Sequence, residues 1–150
     1  MSKVILGVLT AGALTLGLAS AAMAQEGPIK ARQACMKANG EMMKVAVPII
    51  KGEQPYDKAA LDKVTADAEA ACAGWAGWWG EDTKPGGPVE TWAKEEIWTD
   101  MAGFEAAGAA YGQAFTAVKT APDEAAFRAA FPALGKSCQD CHEKFRRPKE

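Results

Sequence analysis

The chain has 150 residues, of which 49% are hydrophobic, and a net charge of −2. This length fits one globular domain, and the slight acidity gives no electrostatic basis for binding nucleic acid. Four cysteines and a single histidine are the residues that carry distinctive chemistry.

Residues 1–24 have the pattern of an export signal peptide. They contain an early cation, Lys3, then an uncharged apolar run, and they end in Ala22-Met23-Ala24, a small-x-small cleavage site. A membrane anchor is the alternative, but glycines interrupt the run, and no basic stop-transfer residues follow it. We therefore expect a signal peptide at 1–24, a mature periplasmic domain at 25–150 with no membrane attachment, and a net charge of −3 once Lys3 is removed.

Apolar residues recur at helical spacing throughout the mature chain, and no alternating strand pattern competes with this periodicity. The predicted apolar stripes are Ile29, Met36, Met43 and Ile50; Leu61, Val64, Ala68, Cys72 and Trp75; Ile97, Met101, Phe104, Gly108, Tyr111, Phe115 and Val118; and Phe127, Phe131, Leu134, Cys138, Cys141 and Phe145. We predict an all-α fold, an antiparallel four-helix bundle whose core holds a cofactor. Pro48 and Pro132 fall inside these patterns, so a kink or an early helix end is expected at each.

The last helix carries the sequence Cys138-Gln139-Asp140-Cys141-His142. Spacings of three and four residues place both sulfurs and the imidazole on one side of a helix. Cys-x-x-Cys-His is the attachment pattern of c-type haem, in which the thiols add to two vinyl groups and the histidine binds the iron. We predict one covalent haem c near the C-terminus, with His142 as axial iron ligand.

Three other uses of a cysteine pair are less compatible with this sequence. A zinc site needs about four ligands, and no second Cys-x-x-Cys or histidine completes a known spacing even if Cys35 and Cys72 are recruited. A thioredoxin-like pair belongs in a strand-to-helix context. A local disulfide would leave His142 without a role.

The chain resembles class II c-type cytochromes, and cytochrome c′ most of all. The resemblance is carried by "GKSCQDCHEKFRR" near the C-terminus, "EEIWTDM" opening the third helix, "KGEQPYDKAAL" between the first two helices, and "ARQACMKANGEMM" early in the first. It implies a periplasmic monohaem four-helix protein, commonly a homodimer through its first two helices. It also implies that Arg32 and Gln33 lie near the haem propionates and that Trp98 packs on the haem edge.

The sixth coordination position of the iron decides the function. With one histidine in the chain, the far side of the iron is either open or bound by a methionine, with lysine a remote third option. Met36 is the residue at issue: the matching position in cytochrome c′ holds an apolar side chain over a vacant iron face, whereas in low-spin relatives a methionine there ligates the iron. We favour an open or weakly occupied position.

Two further features are predicted from position. Arg146 follows His142 by one helical turn and is expected near the imidazole or a propionate, with a solvated terminal charge as the alternative. Cys35 and Cys72 lie 18 residues before and 19 after Glu53, the centre of the first turn. An antiparallel hairpin therefore puts them at one level, where they could form a disulfide; the sequence leaves open whether they do.

Three classes of function remain open. They are an electron carrier that exchanges electrons with small redox proteins, a protein that binds diatomic gases such as NO or CO, and a bundle without haem that binds a partner. The attachment motif disfavours the third. Catalysis is not expected, because the sequence supplies no distal histidine or acid-base pair beside the iron.

Overall fold

The computed structural model describes residues 14–148, with side chains from residue 26 onward. Its five helices are α1 (Leu14–Lys51), α2 (Lys58–Cys72), α3 (Glu96–Thr99), α4 (Met101–Lys119) and α5 (Glu124–Phe145). Within the described range the only strand-like pairing is an isolated antiparallel bridge between Ala93 and Arg146. The all-α four-helix bundle is thereby confirmed, with α3 as an extra turn.

The predicted signal peptide lies largely outside the described residues. Residues 1–13 are not described, and residues 14–24 belong to the first turns of α1. The leader and its cleavage site therefore stay predictions. None of the described helices combines the length and the apolar character that a membrane crossing requires.

Two antiparallel helix pairs build the bundle: α1 packs mainly on α2, and α4 mainly on α5. The Asp57 and Asp123 carboxylates accept hydrogen bonds from backbone N–H groups in the first turns of α2 and α5, where four N–H groups would otherwise lack partners. The Arg128 side chain donates to the carbonyl oxygens of Ile49 and Ile50 at 2.8 and 2.9 Å. This contact joins the end of α1 to the start of α5 and closes one end of the bundle.

The third predicted helix is interrupted at Asp100. Its backbone leaves the helical region, with φ −134° and ψ 58°, and its side chain accepts a hydrogen bond from the N–H of Gly103 at 3.0 Å. Asp100 is thus the N-cap of α4, and Trp98 lies in the separate turn α3. A single helix through Ile97 and Met101 was the wrong expectation here.

The two prolines disturb the helices less than expected. Helix α5 continues through Pro132 to Phe145, so an early end there is wrong, and α1 passes Pro48 by three residues before it ends at Lys51. Packing of α5 along α4 outweighs the one backbone hydrogen bond that Pro132 removes. At Pro48 the carbonyl oxygen accepts from the N–H of Glu53 at 2.8 Å, which caps the helix end.

Two apolar clusters fill the interior. The larger lies between all four long helices and contains the buried residues Met42, Ala46, Ile49, Leu61, Ala68, Ala114, Phe115, Val118, Ala121, Phe127, Phe131 and Leu134. The smaller, which we call the aromatic cluster, consists of buried Ile97, Phe104 and Phe145 with Trp75, Trp79, Ala93, Trp98, Met101, Ala107 and Cys141 packed against them. It lies at the end of the bundle where α5 ends.

Ile29 is buried as predicted, but from Cys35 onward the buried stripe of α1 lies one residue before the predicted one. Cys35, Met42 and Ile49 are 1 to 2% exposed, whereas Met36 is 40% exposed. Cys35, Met42 and Ile49 directly precede Met36, Met43 and Ile50 in the sequence. Both sets repeat every seven residues, so the spacing alone does not show which set is buried. The disulfide between Cys35 and Cys72 of α2 turns the stripe of Cys35, Met42 and Ile49 toward the core.

Candidate haem site

Cys138, Cys141 and His142 lie on the last two turns of α5, as their spacing predicts. Both thiols are free and partly buried. Cys138 packs against the larger core, and Cys141 packs against the aromatic cluster. The pair therefore lies where the two apolar clusters meet.

Burial sets the protonation of these three side chains. It raises the pKa of both the Cys138 and the Cys141 thiol, so each sulfur keeps its proton at neutral pH. Burial, and then the charge of Arg146, lowers the pKa of His142. The imidazole is consequently neutral at pH 7 and presents a nitrogen lone pair, which is the form that binds a metal.

Arg32 is a buried cation with donors to spare. Its side chain is 5% exposed, its guanidinium carbon lies 4.4 Å from the centre of the Trp79 ring, and one terminal nitrogen donates to the carbonyl oxygen of Thr83 at 3.0 Å. Its Nε and Nη1 atoms are buried without a hydrogen-bond partner. Burial lowers the pKa of Arg32 to about 10, which still leaves it charged at neutral pH. An unpaired buried guanidinium suits a carboxylate ligand.

Trp98 joins Arg32 to the aromatic cluster. Its indole N–H donates to the carbonyl oxygen of Trp79 at 2.9 Å, and its ring lies 5.9 Å from the Arg32 guanidinium carbon. The structure thus brings Arg32, Trp98 and Cys141 to one end of the bundle. Gln33 is exposed, and its amide donates to the carbonyl oxygen of Glu90 at 3.2 Å, which ties the long loop to α1; its place near a propionate stays a prediction.

Arg146 ends α5 one turn after His142, and its backbone N–H donates to the carbonyl oxygen of His142 at 3.1 Å. The side chain is half-buried, and its Nε atom is buried without a partner. The charge of Arg146 acts on His142, and its role beside the imidazole or a propionate stays a prediction.

Met36 lies between Arg32 and Asn39 on one face of α1, because the three are separated by four and three residues. Asn39 reaches across the bundle: its amide oxygen accepts a hydrogen bond from the Tyr111 hydroxyl at 2.6 Å, and its amide nitrogen lies 3.4 Å from the sulfur of Cys72. A disulfide joins Cys35 to Cys72, the pairing that the sequence allowed but left open. Met36 is therefore an exposed apolar side chain next to a pinned segment of α1.

Four of the residues that shape this region were missed from the sequence: Asn39, Trp79, Thr83 and Tyr111. Three tryptophans within "WAGWWG" were a signal for an aromatic cluster around Trp79. Asn39 is one turn after Cys35, which places it next to the disulfide. For Thr83, whose carbonyl oxygen binds Arg32, the loop sequence gave no signal.

The donor set fits a covalently bound haem. Two free thiols and a neutral imidazole project from one helix. Arg32 and Arg146 lie in the same region, and each has at least one buried side-chain nitrogen atom without a hydrogen-bond acceptor. The disulfide also takes up Cys35 and Cys72, the two further ligands that a zinc site would need.

A family model described as Cytochrome C′ matches residues 27–146, which include the whole attachment motif. The chain belongs to the cytochrome c′ family. Proteins of this family carry one covalently attached c-type haem, and haem is therefore its cofactor.

Individual relatives span nearly the whole chain. A cytochrome c-556 of Rhodopseudomonas palustris is 34% identical over 142 residues, with 93% of this chain and 95% of the relative covered. A cytochrome c′ of the same organism is also 34% identical, over 140 residues, with coverages of 93% and 94%. The chain is therefore as identical in sequence to a cytochrome c-556 as to a cytochrome c′ of that organism.

Solved structures of cytochrome c′ have the same fold. The protein of Rubrivivax gelatinosus superposes with a TM-score of 0.72 at 26% identity, with 80% of this chain and 94% of that chain covered. A ferrous variant from Alcaligenes xylosoxidans, solved with bound NO, gives a TM-score of 0.71 at 26% identity, with coverages of 83% and 97%.

Proposed function

We propose that this protein is a periplasmic monohaem cytochrome in which Cys138 and Cys141 form the two thioether links and His142 is the axial iron ligand. Its function is electron transfer, the binding of small gases such as NO and CO at the opposite face of the iron, or both. The observation that carries the proposal is the placement of two free thiols and a neutral imidazole on one helix, where two apolar clusters meet.

The bound haem supplies a one-electron iron couple and, where a coordination position is open, a site for a diatomic gas. Cys138 and Cys141 fix its orientation on α5, and His142 offers a nitrogen lone pair because burial lowers the pKa of the imidazole. Arg32 supplies a buried positive charge with two free donor atoms for a propionate. The aromatic cluster keeps water from this side of the site.

An open distal face is the form that we favour. Met36 lies one turn after Arg32 on α1, and a methionine on a helical face more often serves as packing than as a metal ligand. The relative with bound NO is consistent with gas binding at such a face. The alternative is a low-spin, Met36-ligated electron carrier, and similarity to a cytochrome c-556 keeps it open.

Visible absorption spectra of the ferric and ferrous holoprotein, each with and without NO, test this proposal. An open face predicts high-spin spectra that change on addition of NO and are nearly the same in Met36→Ala. Met42→Ala is the matched control, since Met42 is a buried core methionine on the same helix. Low-spin spectra in the wild type that become high-spin only in Met36→Ala would establish the alternative.

Small redox proteins and diatomic gases are the proposed partners, and the absence of a membrane anchor after leader cleavage is part of the same proposal. A homodimer through α1 and α2 stays a prediction from the resemblance. We do not propose an enzymatic activity.

A further inference from the structure

Most cations of the protein are neutralised by a neighbouring carboxylate. Of the 15 lysines and arginines at residues 26–148, ten form an ion pair within that range. The five that do not are Arg32, Lys37, Lys94, Arg146 and Arg147. Arg32 is buried in the candidate haem site, and Lys37 lies on α1 near Glu41. The other three converge on one surface.

Backbone pairing brings these three cations together. The bridge between Ala93 and Arg146 is flanked by hydrogen bonds from the N–H of Lys94 to the carbonyl oxygen of Phe145 and from the N–H of Arg147 to that of Trp92, at 2.9 and 2.8 Å. The segment before α3 therefore runs antiparallel to the end of α5. Lys94 and Arg147 lie on either side of the bridge as a result.

Neither Lys94 nor Arg147 has a carboxylate partner among residues 26–148, and backbone carbonyls hold both side chains instead. The Lys94 ammonium donates to the backbone carbonyl of Glu143 at 3.0 Å, and the Arg147 guanidinium donates to that of Thr91. Backbone carbonyls orient the two groups but leave their charges uncompensated. A negative surface is the natural complement of such charges.

An exposed tryptophan belongs to this surface, and His142, the proposed axial iron ligand, lies close to it. Trp92 is 36% exposed and is one of two large apolar side chains exposed within the described residues. Lys94 also lines a cleft of about 470 Å³, together with Gln139, His142, Glu143, Arg146 and Pro148. Glu143 is the one carboxylate among these lining residues, and it accepts a hydrogen bond from Gln139 at 2.6 Å.

We propose that the surface formed by Trp92, Lys94 and Arg147, here called the cationic surface, docks an acidic redox protein. Tryptophan and arginine are the residues enriched at the centres of protein interfaces. The position beside His142 brings a partner next to the proximal ligand of the haem. Since the mature chain as a whole is acidic, this local positive field is what selects an acidic partner.

The proposal rests on the electron-transfer part of the proposed function. Its test is the reduction of the ferric holoprotein by a reduced, acidic plant-type ferredoxin, followed by stopped-flow absorption. One electron leaves the iron-sulfur cluster, whose potential is low, and reduces one haem iron. Two acidic proteins repel each other through their net charges, so net charge alone predicts a rate that rises with salt. Docking at the cationic surface predicts a rate that falls roughly tenfold from low to high ionic strength.

Charge reversal locates the effect. Lys94→Glu/Arg147→Glu is expected to slow the reaction about tenfold at low salt and to remove its salt dependence. The control Lys37→Glu/Lys51→Glu changes the net charge equally on α1, away from the cationic surface, and is expected to retain the wild-type salt dependence. Equal rates in the two variants, or a wild-type rate that rises with salt, would overturn the proposal.

A binding titration that does not depend on electron transfer tests docking at the cationic surface separately from the proposed electron-transfer function. In ¹⁵N-labelled holoprotein, oxidised ferredoxin is expected to shift the indole N–H signal of Trp92, and high salt is expected to reverse the shift. If Trp92 shifts but the iron is not reduced, docking stands and the electron-transfer function fails. If the iron is reduced while Trp92 is unaffected in both salt conditions, the docking surface is wrong.

Discussion

Adjacent residues in the attachment motif have separate duties that follow from their positions on α5. Cys138 contacts the larger core, Cys141 contacts the aromatic cluster, and His142 faces a cleft with Arg146. Cys141 and His142 are successive residues and point about 100° apart on the helix, and Cys138 lies between them on the same side. Burial then adjusts each group, keeping the thiols protonated and the imidazole neutral.

Tyr111 gives the clearest pH dependence at the residue scale. Burial, and then the charge of Cys138, raises the pKa of Tyr111 to about 12, against a hydrogen bond to Asn39 that lowers it. In the unfolded chain the phenol ionises near pH 10. A raised folded pKa means stability that is fully present below pH 10 and is lost as the pH rises toward 12. We expect the free energy of unfolding to fall over that interval, and to fall less steeply in Tyr111→Phe.

Chemical denaturation of the holoprotein at several pH values checks this expectation. In haem-loaded protein Cys138 no longer ionises, so burial alone must keep the tyrosine pKa high. Ultraviolet difference spectra of tyrosinate formation give the pKa directly, with Tyr56→Phe as the control that leaves Tyr111 in place. Parallel stability curves for the wild type and Tyr111→Phe would contradict the assignment.

The haem-attaching residues could be predicted from sequence, whereas the environment of Met36 could not. Cys138, Cys141 and His142 form a short motif whose spacing is read on a single helix. The inward face of α1 depends on a tertiary contact, because Cys35 and Met36 begin two stripes with equal spacing. The choice between them becomes visible only when the disulfide to α2 is placed.

At the scale of elements, the hairpin of α1 and α2 is closed by the bridge between Cys35 and Cys72, which are 37 residues apart. In the chain-entropy model a loop of this length contributes roughly 4 kcal/mol to stability. Asn39, hydrogen-bonded to both Cys35 and Tyr111, extends this link to α4. We therefore expect Cys35→Ser/Cys72→Ser to lower the free energy of unfolding by up to about 4 kcal/mol.

Denaturant titration of the holoprotein measures this loss, and wild type treated with a thiol reductant provides a second route to the open form. The control Ser137→Ala removes a buried hydroxyl from α5 and leaves the hairpin closed; its hydrogen bond to the carbonyl of Leu134 contributes about 1 kcal/mol. A double serine variant as stable as the wild type would show that the bridge does not restrain the unfolded chain.

The helices could be predicted from the apolar periodicity of the sequence, but the break between α3 and α4 at Asp100 could not. Ile97 and Met101 keep the apolar helical spacing across the break, so the spacing gives no sign that the helix is interrupted. Asp100 three residues before Gly103 is an N-cap signal, and in this case the cap outweighs periodicity. Pro132 shows the reverse outcome, since packing along α4 carries α5 through a residue that usually ends a helix.

Across the whole molecule, charge and chemistry are divided between the two ends of the bundle. One end is closed by contacts of Arg128 with α1. The other collects His142, the aromatic cluster, two arginines with unpaired donors and the cationic surface. Family membership places one covalent haem in this protein, and the clustering explains how a partner and a cofactor meet at one end.

Mass spectrometry of the mature protein, expressed in a host that matures c-type cytochromes, tests the central claim most directly. We predict a polypeptide heavier by the mass of one haem, with Cys138 and Cys141 modified in the C-terminal proteolytic fragment and Cys35 bridged to Cys72. Cys138→Ala/Cys141→Ala is expected to lack this added mass. A colourless product with unmodified thiols at both positions would contradict the account.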